Sequence, residues 1–70
     1  MIELSDDLPR AQKALAGSPV YALRELRVEE TGSGLLIRGL VASFYHKQLA
    51  QEAVRAAAPG VAVVNSIDVQ

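Results

Sequence analysis

Hydrophobic and polar positions alternate along three stretches of the chain. Leu26 and Val28 alternate with charged residues, which predicts a first strand that leads out of the loop SPVYALRE. The stretch GLLIRGLV, residues 34–41, predicts a second strand. The closing stretch VAVVNSIDV predicts a third strand, and four of its residues share the inward side: Val63, Asn65, Ile67 and Val69.

Apolar residues at helical spacing predict two helices. The first begins near Leu8, with Asp6 or Asp7 as its cap, and ends at Gly17. The second runs over about residues 44–57. Its predicted cap is Ser43, its predicted stop is Pro59-Gly60, and its predicted buried side is Leu49, Ala50, Ala53, Val54 and Ala57.

The predicted fold is α+β, a single two-layer domain over residues 1–70 with its core at about 8–70. TGSG, residues 31–34, predicts a hairpin turn in which Gly32 and Gly34 supply positive φ. Right-handed crossover then makes the third strand parallel to the second. The order is α-β-β-α-β, a three-stranded mixed sheet with two helices on one face. The predicted core is Leu8, Leu15, Leu26, Val28, Leu35, Ile37, Val41, Leu49, Ala53, Val63 and Ile67.

The outer side of the second strand predicts an interface. Leu36 and Leu40 point away from the helices with Arg38 between them, and Val64 joins them if the third strand pairs with the second. Scattered surface leucines are ordinary, so an innocent exposed patch is the alternative. A small domain gains proportionately more from covering such a face, through a homodimer that stacks sheet on sheet or through a protein partner.

Composition narrows the classes of function. Seven basic and eight acidic residues leave a formal charge of −1, which gives no reason to expect nucleic acid. The absence of cysteine excludes disulfides and thiolate metal sites, and three aromatic residues predict an aliphatic core. No apolar run approaches the roughly 18 residues of a membrane span, and the acidic N-terminus lacks the basic start of an export signal. We expect a cytoplasmic location, with an exported parent protein left open.

Several polar groups resemble catalytic motifs but favour structural interpretations. The glycines of residues 32–34 open a strand, whereas phosphate-binding loops open a helix. The pair Asp6-Asp7 lies at a predicted helix cap. Glu29 and Glu30 are adjacent in a predicted strand, so their side chains point to opposite faces and cannot act as a pair. His46 lies on the buried side of the second helix without a nucleophile at motif spacing, which favours a packed boundary histidine. We therefore predict no catalytic residue, metal, cofactor or small-molecule substrate.

Arginines on the hairpin leave two interpretations open. Arg24, Arg27 and Arg38 could form a basic strip for lipid headgroups. Glu25 and Glu29 interrupt this strip, and cross-strand salt bridges are the favoured interpretation.

LRVEETGSGLLIRGLVAS, an alanine-bearing helix and PGVAVVNSIDV together resemble the BON domain, a small bacterial module of osmotically induced and nodulation proteins. The resemblance covers about residues 8–70, and Gly60-Val61 stands one residue closer to Val63 than in the usual pattern. It implies a non-enzymatic module that binds protein partners or phospholipid, without catalytic residues. Most members are exported and often tandem, unlike this single copy. The matching positions are Gly34, Leu35, Ile37, Gly39, Val41, Ala50, Gly60, Val61, Val63, Asn65, Ile67 and Val69.

Three matching positions also have physical interpretations. Gly39, in mid-strand, predicts close packing of the second helix or a bulge. Asn65 lies on an apolar side, so its amide is expected to hydrogen-bond backbone near a strand end. Gly60 is interpreted as the helix stop. Two functions stay open: protein interaction through the outer face, and peripheral phospholipid binding, which salt should weaken steeply.

Overall fold

The computed structural model describes residues 6–70 and confirms the predicted order of elements. A short 3-10 helix, Tyr21–Leu23, adds one turn that the pattern did not predict. The helices and strands are α1 (Asp7–Ala16), β1 (Arg27–Glu30), β2 (Gly34–Val41), α2 (Phe44–Ala57) and β3 (Ala62–Val69).

The sheet has the strand order β1-β2-β3, with β2 in the centre. β1 runs antiparallel to β2, and β3 runs parallel to β2 after the crossover through α2. The register places Val28 opposite Ile37, and Leu36 opposite Val64. The predicted mixed sheet is therefore confirmed, and β1 and β3 are its two edges.

The core lies between the sheet and the two helices. Ile37 is fully buried, whereas its neighbour Leu36 is only half-buried and points to the other side. The predicted core residues at the margin of the core are half-buried rather than buried: Leu8, Leu49, Ala53 and Val63. The buried apolar residues are Ala11, Leu15, Leu23, Leu26, Val28, Leu35, Ile37, Val41, Ala50, Val54, Ala58 and Ile67.

The two helix caps have different outcomes. Ser43 has extended backbone angles, φ −143° and ψ 153°, and its Oγ accepts a hydrogen bond from the His46 N–H at 3.2 Å. This predicted cap is confirmed. Asp6 is the residue before α1, but its backbone is not extended, at φ −90° and ψ 5°, and its side chain makes no cap hydrogen bond. Side-chain capping needs the extended geometry, so the predicted capping by the Asp6 carboxylate is wrong.

The first strand begins later than the alternation suggests. The chain closes the 3-10 turn through the bond from Leu23 N–H to the Val20 carbonyl at 3.0 Å, and β1 starts only at Arg27. Glu25, predicted as an outward strand residue, lies before the strand. Leu26 also precedes β1, yet it is buried as predicted because it directly continues the inward side of β1.

The TGSG turn is a hairpin, but its glycines do not have the predicted positive φ. Thr31 closes the turn instead: its Oγ1 accepts hydrogen bonds from the Gly34 N–H at 3.0 Å and the Ser33 N–H at 3.3 Å. Because a threonine hydroxyl holds the turn, the backbone of Gly32 and Gly34 does not need the left-handed region.

Candidate functional site: the open face of the sheet

One side of the sheet carries no helix in the part of the chain that the structure describes. Strand alternation sends the core residues of β2 toward the helices and the residues between them to this opposite side. We call this side the open face. Its residues are Arg27, Glu29, Leu36, Arg38, Leu40, Val64, Ser66 and Asp68.

The apolar centre of the open face is a pair of residues on neighbouring strands. Leu36 lies between Glu29 of β1 and Val64 of β3 in the register of the sheet. Its flanking neighbours leave Leu36 half-buried, whereas Val64 is 53% exposed. On the open face, the preceding positions of the same two strands are Gly34 and Ala62, two residues before Leu36 and Val64. These small residues leave the Leu36–Val64 pair accessible from that end.

Leu40 is separate from this pair because Arg38 stands between Leu36 and Leu40 along β2. Leu40 lies opposite Asp68 and is 56% exposed. The predicted residues therefore share one face, and Val64 lies beside Leu36 as expected. They do not form one continuous apolar patch. A groove of about 660 Å³ runs past Leu36 and Leu40 and is lined by Glu29, Leu36, Arg38, Gly39, Leu40, Ser66 and Asp68.

The arginines of the hairpin do not combine into a basic strip. Arg38 donates from Nη1 to the Glu29 Oε2 at 2.8 Å, which is the expected cross-strand salt bridge. Arg27 lies directly opposite Arg38 in the register, and Glu29 offsets the like charge that this opposition creates. Arg24 is held elsewhere: its Nε donates to the Ser18 carbonyl at 2.8 Å.

Asn65 ties β3 to α2. Its Nδ2 donates to the Lys47 carbonyl at 2.9 Å and to the Gln51 Oε1 at 3.1 Å. Its Oδ1 accepts from the Ile67 N–H at 3.2 Å. The amide is thus satisfied within the fold. The backbone that it binds lies in the first turns of α2 and in its own strand, and not only near a strand end as predicted.

The three glycines singled out from the sequence have different roles. A Cβ on Gly34 would collide with the backbone carbonyl of Ala62, so Gly34 permits close approach of β3. Gly39 has φ +142°, and a Cβ there would lie 2.6 Å from the Leu26 Cδ2. The predicted packing of α2 over Gly39 is therefore wrong, because the Leu26 side chain occupies that space. Gly60 has φ +83° and follows the end of α2, as expected for a helix stop.

Sequence reasoning missed two features around the sheet. All three aromatic side chains are exposed: Tyr21, Phe44 and Tyr45. Tyr21 lines a pocket of about 260 Å³ with Leu40, and the Arg24 guanidinium lies 4.8 Å from the centre of the Tyr21 ring. Gln12 of α1 binds the backbone of the segment entering β1. Neither the residue types nor the sequence positions of the aromatic residues and Gln12 indicate the exposure of the aromatic side chains or the backbone contact of Gln12.

His46 occupies the boundary position that the helical pattern indicates. Its side chain is half-buried beside the Tyr45 ring, and its Nδ1 atom is buried without a hydrogen-bond partner in the described structure. Within residues 6–70 no three histidine, aspartate or glutamate side chains cluster as metal ligands would. Among the same residues, no helix has the length and apolar character needed to cross a membrane.

Comparison with known proteins gives no relative from which a role could be transferred. The chain matches no protein-family model, no curated protein and no solved structure.

Proposed function

We propose that this domain is a non-catalytic binding module that docks a protein partner through the open face. The uncovered Leu36–Val64 pair carries the proposal most directly. It lies on the side of the sheet that no described helix covers, beside the groove that continues to Leu40. Apolar side chains grouped on one face of a small domain are typical of interaction surfaces.

Charge on the open face specifies the chemistry of the partner. Arg38 is already matched by Glu29, whereas Arg27 has no ion-pair partner among residues 6–70. A partner segment that places apolar side chains over Leu36 and Val64, and a carboxylate near Arg27, would complement this surface. Burial of the pair would contribute roughly 1.5 to 3 kcal/mol for each fully buried side chain.

The test compares charge substitutions on and off the open face. Leu36→Glu and Leu40→Glu should each abolish partner capture from a lysate of the source cells while preserving helical circular dichroism. Ala56→Glu places the same charge on the exposed side of α2 and should retain the partner. If all three variants capture the same proteins as the wild type, the open face is ordinary surface. A sheet-on-sheet homodimer would appear in light scattering as association that Leu36→Glu removes.

The non-catalytic part of the proposal has its own test. Among residues 6–70, the charged side chains that line the groove are the Glu29–Arg38 ion pair and Asp68, which do not form a cluster of titratable groups. We expect no thermal stabilisation by zinc or by nucleotides. A shift of several degrees with either ligand would contradict the absence of a metal or cofactor.

A peripheral phospholipid surface is the second candidate function, and the exposed aromatic side chains favour it. Phe44 and Tyr45 begin α2, just after the end of β2, and Tyr21 shares its pocket with Ala42. Exposed aromatic side chains beside an arginine suit a membrane–water interface. Sedimentation with anionic vesicles that weakens steeply with salt would favour this function, because apolar docking has little salt dependence.

Membership in the BON family stays a proposal that rests on the sequence. The α-β-β-α-β order and the burial of Ala50 support it. A cytoplasmic location likewise stays a proposal.

A further inference from the structure

The two edges of the sheet are built differently. β1 has four residues, of which Arg27, Glu29 and Glu30 are charged. β3 has eight residues without proline or glycine, and Asp68 is its one charge. Natural sheets protect exposed edges with short strands, charges, prolines or bulges, because an open edge pairs readily with another strand. β1 shows this protection, whereas β3 pairs with β2 in unbroken register and shows little of it.

A side chain also covers the outer edge of β1. The Val28 N–H donates to the Gln12 Oε1 at 2.9 Å, and the Gln12 Nε2 donates to the Leu26 carbonyl at 3.0 Å. The bond from Thr31 N–H to the Gly34 carbonyl shows that the odd-numbered backbone groups of this segment face β2. The Val28 N–H therefore faces outward, where the Gln12 amide replaces the backbone of a further strand.

Among residues 6–70, no side chain covers the corresponding backbone groups of Val63 and Asn65 in the middle of β3. The Gln70 N–H donates to the Val41 carbonyl at 2.9 Å, so the even-numbered backbone groups of β3 face β2 and the odd-numbered groups face outward. Asn65 Oδ1 already binds the Ile67 N–H. Within residues 6–70, this leaves the backbone N–H and carbonyl groups of Val63 and Asn65 on the outer edge without a partner strand.

We propose that the outer edge of β3 pairs antiparallel with β3 of a second copy of this chain, about a two-fold axis at Val64. Val63 then lies opposite the partner's Asn65, and the two residues exchange both backbone hydrogen bonds. By symmetry, Asn65 lies opposite the partner's Val63 on the other side of the axis, and these two residues also exchange both backbone hydrogen bonds. The two three-stranded sheets join into one continuous sheet.

The edge is complementary to itself, which favours a second copy over an unrelated strand. On the open face, Val64 meets the partner's Val64 and Ser66 meets the partner's Ala62. Asp68 lies outside the paired stretch, so no like charges oppose each other. The join brings the Leu36–Val64 pairs of both copies together on the open face. The pairing uses the edge and leaves that face uncovered, so it does not rest on the proposed function.

The first test removes one backbone donor. Val63→Pro deletes an N–H that points away from β2, so the internal sheet should persist. Val63→Ala shortens the same side chain but keeps the donor. In light scattering the wild type and Val63→Ala should have twice the chain mass of 7.5 kDa, and Val63→Pro should have the mass of one chain with unchanged circular dichroism.

A second variant keeps the test decisive if proline disturbs the fold. Val64→Lys changes an exposed side chain and sets two ammonium groups against each other at the axis, so it should also be monomeric. The amides of Val63 and Asn65 should gain hydrogen-exchange protection in the wild type as concentration rises. A wild type that stays monomeric at NMR concentrations, or dimers that survive both variants, would overturn the pairing. Leu36→Glu should keep the dimer even where it loses the docked partner, which separates this inference from the proposed function.

Discussion

At the scale of single residues, Asn65 shows how one polar side chain connects two layers. Its amide satisfies a helix carbonyl and a strand N–H on an otherwise apolar side of β3. Asn65→Leu removes all three hydrogen bonds of this side chain at similar volume and leaves the Ile67 N–H without its acceptor. We expect a loss of about 1 to 3 kcal/mol in the free energy of unfolding, measured by urea denaturation. Ser66→Ala, on the exposed side of the same strand, should change the free energy little.

Gly34 and Gly32 allow a matched comparison within one turn. Neither has positive φ, so backbone strain does not distinguish them. A Cβ on Gly34 would collide with the Ala62 carbonyl, whereas a Cβ on Gly32 would meet nothing within 4 Å. Gly34→Ala should therefore destabilise the domain by roughly 1 to 3 kcal/mol. Gly32→Ala should be neutral or stabilising by up to about 1 kcal/mol, because it lowers the entropy of the unfolded chain. Equal thermal midpoints for the two variants would contradict the close approach of β3.

The sequence indicated that Asn65 and Gly39 have structural roles, but it did not indicate which groups contact them. Asn65 and Gly39 stand out because an amide and a missing side chain are unusual on the inward sides of strands. Which group fills the space beside Gly39 depends on the path of the preceding loop, and Leu26 reaches it rather than α2. The 3-10 turn that sets this path has only three residues, too few for a periodic pattern.

At the scale of elements, α1 holds the edge of β1 through Gln12. Gln12→Glu keeps the acceptor for the Val28 N–H but turns a carboxylate oxygen toward the Leu26 carbonyl. The variant should be less stable than the wild type at pH 7. Repulsion between the carboxylate and the Leu26 carbonyl should raise the pKa of the new carboxyl in the folded state above its unfolded value of about 4.3. The loss of stability should therefore shrink as pH falls through the folded pKa and protonates the carboxyl. Urea denaturation at pH 7 and pH 4 checks this. Gln48→Glu, on the exposed side of α2, is the control without that dependence.

Element bounds were predictable where several local signals agree. For α2 the apolar spacing, the Ser43 cap and the Pro59-Gly60 stop predict the same segment, and its observed bounds are Phe44–Ala57. For α1 the aspartates predicted where the helix begins, but the Asp6 side chain does not make the predicted cap hydrogen bond. An aspartate before a helix caps it only with extended backbone, which the residue type alone does not determine.

At the scale of the whole molecule, strand parity was sufficient to predict which side of the sheet is open. The period of two in β2 sends Ile37 inward and Leu36 outward, and pairing of β3 with β2 brings Val64 beside Leu36. The exposed aromatic side chains and the Gln12 cover could not be predicted this way. Both features depend on how the helices and strands are placed relative to one another, and local periodicity does not predict this placement.

Because the core is small, we expect the stability of the whole molecule to depend on association. Its large fully buried side chains are few, and alanines supply much of the remainder. A core of this size contributes only a small stability margin. If unfolding separates the dimer proposed through β3, mass action should raise the thermal midpoint by a few degrees for each tenfold increase in protein concentration. Scanning calorimetry over a hundredfold range of protein concentration tests this. Val63→Pro should have a lower thermal midpoint than the wild type, and its midpoint should not depend on concentration. A wild-type midpoint independent of concentration would mean that the monomer carries all of the stability on its own.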